Sequence, residues 1–497
     1  MQVSNGQCRR KPDGVPVHYE RRCPDETTLY RLVQEHAATF FAQAEAATEA
    51  HLPRFVKDEF DAFLECGILA HGFLRLRCGD CGHDKLVAFS CKRRGFCPAC
   101  GARRMAQTAA HLVDHVIPAV PVRQWVLSLP IPLRLVLAAQ PQWLTPVLRV
   151  VHRVIRRHLL GQAGLKADEA DAGAVTLIQR FGSAANLNIH LHCLVLDGVY
   201  RRRTEGAPEF VPVPAPSDAA LQAVLHTIIV RTMKLLTRQG ALIEEQGQTW
   251  LADIDGESDE ARSLKALQAA ACTYRIALGA RAGQKVLTLQ GAKPRDGSFR
   301  QALCADIEGF SLHAGVRCEA HERQALEQLC RYITRPALAS ERLQLNAAGQ
   351  VVLRLKTPWR DGTTHVVMSP LEFMQRLAAL VPRPRLHLIR FHGVLAPNAR
   401  LRAQVVAQAV PPADQAVPPT ECEGSGTPHR PTRPGWARLL KRVFDLDLEH
   451  CPNCGGTLSI IAAILEPAPI EKILTHLGLQ ARAPPRSPAR RDARHAA

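Results

Sequence analysis

The sequence predicts an α+β fold. An antiparallel sheet flanked by helices is expected, with a cysteine-rich unit on its N-terminal side and a small basic module on its C-terminal side. Three observations predict it. Cysteines crowd into Cys66 to Cys100 with paired spacing. The stretch Val175 to Val199 reads as two strands about a short turn. Apolar residues recur at helical spacing on both sides of it. At 497 residues the chain exceeds one ordinary core, so several domains are expected.

The elements follow in order. Residues 1–24 are polar and basic without an apolar centre, and read as a flexible N-terminus rather than a secretory signal. Residues 25–64 read as helical, with Leu29, Leu32, Val33, His36, Phe40 and Phe41 on one side and a second amphipathic run from Phe55 to Leu64. Cys66 to Cys100 is turn-rich, and 103–117 is helical again; residues 25–117 form the first domain. The second, 118–404, opens with a strand at Gln124 to Leu129 and a basic helix at Trp143 to Leu160. Val175 to Phe181 and Leu187 to Val199 form a hairpin about residues 182–186. A helix at 217–240, an acidic surface loop at Asp253 to Glu260 and a strand at Gly309 to Val316 follow. Glu322 to Ile333 is a helix, stopped by Pro336. Val351 to Leu355 and His365 to Met368 suggest a hairpin, and Pro370 to Leu380 a helix. Residues 405–435 read as a linker, 436–480 as the C-terminal Cys-x2-Cys module, and 481–497 as a disordered tail.

Charge narrows the function. Lys+Arg 63 against Asp+Glu 46 gives +17, which favours a polyanionic partner, nucleic acid above all. No run of about 18 apolar residues predicts a membrane span. Sixteen cysteines, clustered and without an export signal, point to metal ligation in a reducing cytosol rather than to disulfides.

Cys78-Gly-Asp-Cys81 and Cys97-Pro-Ala-Cys100 are two such pairs, fifteen residues apart. Together they predict one tetrahedral four-cysteine zinc site, because each pair bends around the ion and offers two thiolates. Cys66 and Cys91, with His71 and His83 nearby, offer a second. Lys92-Arg93-Arg94 is a basic turn between the pairs, placed to meet phosphates. Cys451-Pro-Asn-Cys454, preceded by His450, is half a site in the C-terminal module; Cys422 is distant.

His190 and His192 share one strand face because side chains alternate. Two neutral imidazoles there suit Mn²⁺ or Zn²⁺, and Mg²⁺ only with oxygen donors. Gln179 on the paired strand, and Glu327 or Gln328 one turn before Tyr332, are the candidates for a third ligand. Tyr332 stands between Arg331 and Arg335, which are placed to hold a phosphate.

His190-Leu191-His192 resembles the His-hydrophobe-His motif of HUH endonucleases. Gln179-Arg180-Phe181-Gly182 through Asn188-Ile189-His190-Leu191-His192-Cys193-Leu194-Val195, with Arg331-Tyr332-Ile333-Thr334-Arg335-Pro336, looks like rolling-circle transposases of bacterial insertion sequences, in particular their single-tyrosine common-region (ISCR-like) branch. The order of cysteine cluster, core, tyrosine helix and Cys-Pro-x-Cys-Gly-Gly is similar too. Much of that family carries two tyrosines on the helix; here Gln328 and Pro336 flank a single one.

The resemblance implies an HUH endonuclease core with Mg²⁺ or Mn²⁺ as catalytic ion and Zn²⁺ as structural ion. It implies Tyr332 as nucleophile, forming a 5′-phosphotyrosine. The implied partner is single-stranded or hairpin DNA at the element's ends, in the bacterial cytoplasm near the nucleoid. A second protomer of a homo-oligomer, or a host function, would supply what one tyrosine lacks. A plasmid replication initiator with the same chemistry, a zinc-containing DNA-binding regulator without catalysis and a metallohydrolase are the rival readings.

Overall fold

The computed structural model describes residues 17–18, 23–245, 248–252, 259–294, 302–406, 446–447 and 449–490. The N-terminal unit opens with α1 (Thr28–Thr48) and α2 (Arg54–Glu65). Thr27 starts α1 by accepting the Tyr30 N–H at 3.2 Å. Leu29, Leu32, Val33 and Phe40 on α1 face Val56, Phe60 and Phe63 on α2, at the spacing that puts them on one side of each helix. Phe60 and Phe63 close on Phe96, with ring centroids 4.8 and 5.3 Å apart. That contact anchors the loop between the hairpin β1 (Phe73–Cys78)–β2 (Asp84–Ala88) and α3 (Pro98–His115).

The remaining elements build around one sheet. They are β3 (Val122–Ser128), α4 (Ile131–Ala139), α5 (Leu144–Gln162), β4 (Gly173–Phe181), β5 (Leu187–Leu196), α6 (Asp218–Arg238) and α7 (Asp259–Cys272). Then come β6 (Cys304–Ile307), β7 (Phe310–Cys318), α8 (Arg323–Thr334), α9 (Pro370–Leu380) and β8 (Ile389–Gly393). The strand order is β6-β7-β3-β5-β4-β8, every neighbouring pair antiparallel. A second, four-stranded sheet includes the expected hairpin, Val351–Arg354 against Thr363–Met368.

Strand β5 is central, so both its edges are paired and both its faces covered. On one face Ile189, Leu191 and Cys193 join Trp125 and Leu127 in the large core, with Leu133 of α4, Val151 of α5 and Phe373 of α9. On the other, Leu194 and Leu196 join Val122, Val175 and Leu177 under Leu112 and Val113 of α3 and Leu326, Cys330 and Ile333 of α8. Leu326, Cys330 and Ile333 recur at helical spacing, and burying each aliphatic one contributes about 2 kcal/mol. The turn between β4 and β5 needs Gly182: a Cβ there would lie 2.4 Å from Asn186 Oδ1.

Helix α6 is long and apolar enough to cross a membrane by length and composition. Its stripe of Leu221, Val224, Leu225, Ile228 and Leu236 packs instead into the core beside α5 and β6. Sequence reading missed α4, where an Ile-Pro start hides the helix, and the edge strands β6 and β8.

Three boundaries differ from expectation. The C-terminal module is not separate: β9 (Leu458–Ile464) pairs with β1, making the N-terminal hairpin a three-stranded sheet, and Ile470 and Leu474 of α10 (Pro467–His476) pack on Leu69 and Phe73. The start of the expected disordered tail runs along α1 and α2. Arg486 pairs with Asp61 at 2.5 Å, Arg490 with Glu35 at 2.8 Å, and Gln34 Nε2 donates to Pro485 O at 2.7 Å. Of the acidic loop, Asp259 and Glu260 form the first turn of α7. Residues 253–258, most of the linker, Cys422 and 491–497 lie outside the described residues.

Candidate active site and zinc clusters

His190 and His192 lie on the β5 face that α3 and α8 cover, with ring centroids 4.8 Å apart. His190 stands opposite Ser128 on β3 and Gln179 on β4; His192 opposite Val126 and Leu177. His190 Nδ1–H donates to Asn188 O at 2.9 Å, which leaves the Nε2 lone pair free. His192 Nδ1 lies 2.8 Å from the side-chain amide of Gln124, and its Nε2 is buried with no hydrogen-bond partner. As placed, Gln124 Nε2 is the atom that faces Nδ1; with the amide turned over, its carbonyl oxygen would accept from Nδ1–H and Nε2 would keep a lone pair. Burial, with Arg335 close by, holds both rings neutral: His190 falls to about 4 and His192 to about 3. Two uncharged imidazoles side by side on one sheet face, one of them with a buried nitrogen that has no partner, fit a divalent ion.

Tyr332 is on the last turn of α8 and is 47% exposed. Gln179 Nε2 donates to Ile333 O at 2.6 Å, so the strand residue opposite His190 holds the end of the tyrosine helix. Arg335 precedes proline and leaves the helix for an extended conformation, φ −55° and ψ 155°. Its guanidinium lies 4.9 Å from the centroid of the Tyr332 ring and 5.5 Å from that of Phe181. Lys356 Nζ caps the Tyr332 ring at 3.8 Å. Burial lowers the pKa of Arg335, Arg342 and Lys356; Arg335 lowers the other two further, Arg342 lowers Lys356, and Tyr332 pulls Arg335 back up. The phenol therefore sits in a cationic cradle that would welcome a phosphate.

Not every sequence-derived residue joins this site. Arg331 pairs with Glu327, one turn back, at 2.6 Å rather than flanking the phenol with Arg335. That pair also occupies the Glu327 carboxylate. Gln328 is exposed on α8. Gln179 commits its amide N–H to the helix, which leaves its carbonyl oxygen, on the residue paired with His190, as an oxygen donor. Gln124, Arg342 and Lys356 were missed; they are polar or basic residues on otherwise ordinary strands and loops, and only the sheet register and chain crossing bring them here.

The cysteines regroup. Cys66, Cys91, Cys97 and Cys100 form one cluster, and Cys78, Cys81, Cys451 and Cys454 another, with ligand atoms within 4.8 Å of one another in each. Sγ–Sγ separations are 3.4 Å for Cys91–Cys100, 3.7 Å for Cys66–Cys97 and Cys66–Cys100, and 3.5 Å for Cys78–Cys454 and Cys81–Cys451. A tetrahedral zinc with Zn–S near 2.3 Å requires sulfur edges of about 3.8 Å, so both clusters fit. The expected site uniting Cys78, Cys81, Cys97 and Cys100 does not form. Cys78 and Cys81 sit at the tip of the β1–β2 hairpin, whereas Cys97 and Cys100 start α3 beside the end of α2. His71 and His83 belong to neither cluster; the His83 ring meets Asn453 instead.

In the basic turn only Lys92 is exposed. Arg104 donates to the Lys92 and Arg93 carbonyls at 2.8 and 3.1 Å, and Arg94 donates to the Leu386 and Arg383 carbonyls beyond α9. The turn thus ties the zinc unit to the sheet domain.

Two family models match parts of the chain. Residues 173–402 match the family described as "Putative transposase", and residues 32–129 match a transposase zinc-binding domain of the IS91 type. No curated protein matches the chain, and no solved structure does.

Proposed function

Because the chain joins a transposase domain to an IS91-type transposase zinc-binding domain, we propose that this transposase nicks and rejoins single-stranded DNA at insertion-element ends through Tyr332. The observation that carries the reading is the cationic cradle around Tyr332 on the last turn of α8, the helix that covers the sheet face bearing two neutral histidines. A divalent ion, Mg²⁺ or Mn²⁺, on His190 and His192, with the Gln179 carbonyl as the third donor, would supply Lewis-acid polarisation of the scissile phosphate.

The chain's own residues do the rest. Gln124 and the Asn188 carbonyl orient the imidazoles. Arg335 and Lys356 hold the phosphate and offset its growing negative charge. The Tyr332 oxygen attacks phosphorus and gives up its proton. A P–O bond to tyrosine forms as the bond to the 3′ oxygen breaks, and that oxygen leaves as a 3′-OH. The 5′-phosphotyrosine keeps the energy of the broken bond for rejoining, as rolling-circle transposition requires. The zinc unit positions the DNA. With one tyrosine on the helix, a second protomer completes the cycle. The setting is the bacterial cytosol, at the nucleoid.

The test is incubation of the chain with 5′- and 3′-labelled single-stranded oligonucleotides carrying element ends and Mg²⁺, then a denaturing gel. The 3′-labelled strand should move to protein mass, and Tyr332→Phe should bind DNA without doing so. A covalent adduct in Tyr332→Phe, or a free 5′-phosphate from the wild type, would overturn the assignment.

A further inference from the structure

A cleft of about 590 Å³ opens between the start of α3, the Arg335–Pro336 end of the tyrosine helix and the edge of β4. Its lining includes Arg93, Arg94, Arg104, Arg180, Arg335 and His387, and no aspartate or glutamate. Arg180 is the unusual member. It sits where the register of β4 against β5 shifts, between Gln179 and Phe181, and β8 pairs with β4 only as far as Leu177. A bulge at a free sheet edge re-aims a side chain. Arg180 is 4% exposed, and its Nε and Nη2 are buried with no hydrogen-bond partner. Burial pulls the guanidinium down only to about 10, so it is charged at neutral pH.

Two further cations, Arg94 and Arg383, lie close enough to push it the same way. Leaving a buried charge unpaired is costly, on the order of several kcal/mol. Such a group is kept where a ligand completes it.

We propose that this cleft is an anion subsite that receives a phosphate of the bound DNA strand, next to the one Tyr332 attacks, on the Arg180 guanidinium. The fork geometry of arginine suits two phosphate oxygens at once. Ile333, Thr334, Arg335 and Pro336 line the cleft and follow Tyr332 directly, so one strand can meet both places. The zinc unit contributes Arg93, Arg94 and Arg104, which makes the subsite the point where both domains grip the same strand. The inference rests on the tyrosine-nickase reading for its neighbour, but its test does not use cleavage.

The experiment measures binding of a labelled single-stranded oligonucleotide across a salt series, for the full chain and for Arg180→Met and Arg180→Gln. Affinity should fall about tenfold or more, the size of one charge-assisted hydrogen-bonded contact. The slope of log affinity against log salt should shrink by about 0.7, the signature of one lost phosphate contact on a single strand. The variants should melt no lower than wild type, because the unpaired charge is gone. Inorganic phosphate should raise the melting temperature of DNA-free wild type above that in chloride of equal ionic strength, a measurement that needs no variant.

Unchanged affinity and slope in both variants would overturn the proposal. So would phosphate stabilisation with unchanged DNA binding, which would make the cleft a free-anion site, or a wild type indifferent to phosphate whose variants bind less only because they melt lower. If the wild type forms a covalent adduct while the variants bind normally, the cleft assignment alone fails. If binding depends on Arg180 and no adduct forms, the tyrosine reading alone fails.

Discussion

His190 and His192 are neutral because burial outweighs every nearby group, and neutrality is what metal ligation needs. A second histidine pair on the opposite face of the sheet shows the same physics without that use. His152 of α5 and His392 of β8 stack at 3.5 Å, and His152 Nε2 meets the Thr176 hydroxyl at 2.5 Å. Burial lowers His392 to about 4 and His152 well below its usual value. Both bind protons more weakly folded than unfolded, so their contribution to stability is complete above about pH 6.5 and is lost as pH falls through the folded values. The melting temperature should therefore drop between about pH 6.5 and pH 4, and His392→Leu should drop less steeply. Parallel pH curves for the two chains would show that the pair does not couple to acid unfolding.

At the scale of elements, the placement of the nucleophile depends on how α8 ends. Leu326, Cys330 and Ile333 dock the helix, Pro336 stops it, and Gln179 bonds its last turn to the strand opposite His190. Gln179→Met should leave the Ile333 carbonyl buried without its donor and cost about 1–3 kcal/mol. The Tyr332 turn would then be held less firmly, so covalent capture of single-stranded DNA should slow more than DNA affinity falls. Equal losses in both, or neither, would mean that the bond does not set the tyrosine's position.

For the whole molecule, two segments far apart in the chain meet at the second cysteine cluster. Residues 370 or more positions apart share a cluster, with Cys451 and Cys454 joining Cys78 and Cys81. The C-terminal segment is thereby part of the N-terminal unit. Metal analysis should give two zinc ions per chain, and Cys451→Ser with Cys454→Ser should give one, with weaker protection of β9 from proteolysis. A wild type with one zinc, or a double variant that keeps both, would contradict the second cluster.

The sequence by itself determined the local features: the β4–β5 hairpin, the His190–His192 face, the tyrosine helix and its proline stop, and the wealth of paired cysteines. Each rests on residue spacing of a few positions, where alternation and helical periodicity decide which side chains share a side. Only the tertiary structure decided the rest. It split the cysteines into two clusters rather than uniting the two nearest pairs, and brought Gln124, Lys356 and Arg342 to the site. It also buried Arg180 with its Nε and Nη2 unpartnered, in the lining of a cleft that both domains share. These depend on strand register and on contacts between residues far apart in the chain, up to 376 positions for Cys78 and Cys454, for which sequence spacing holds no periodic signal.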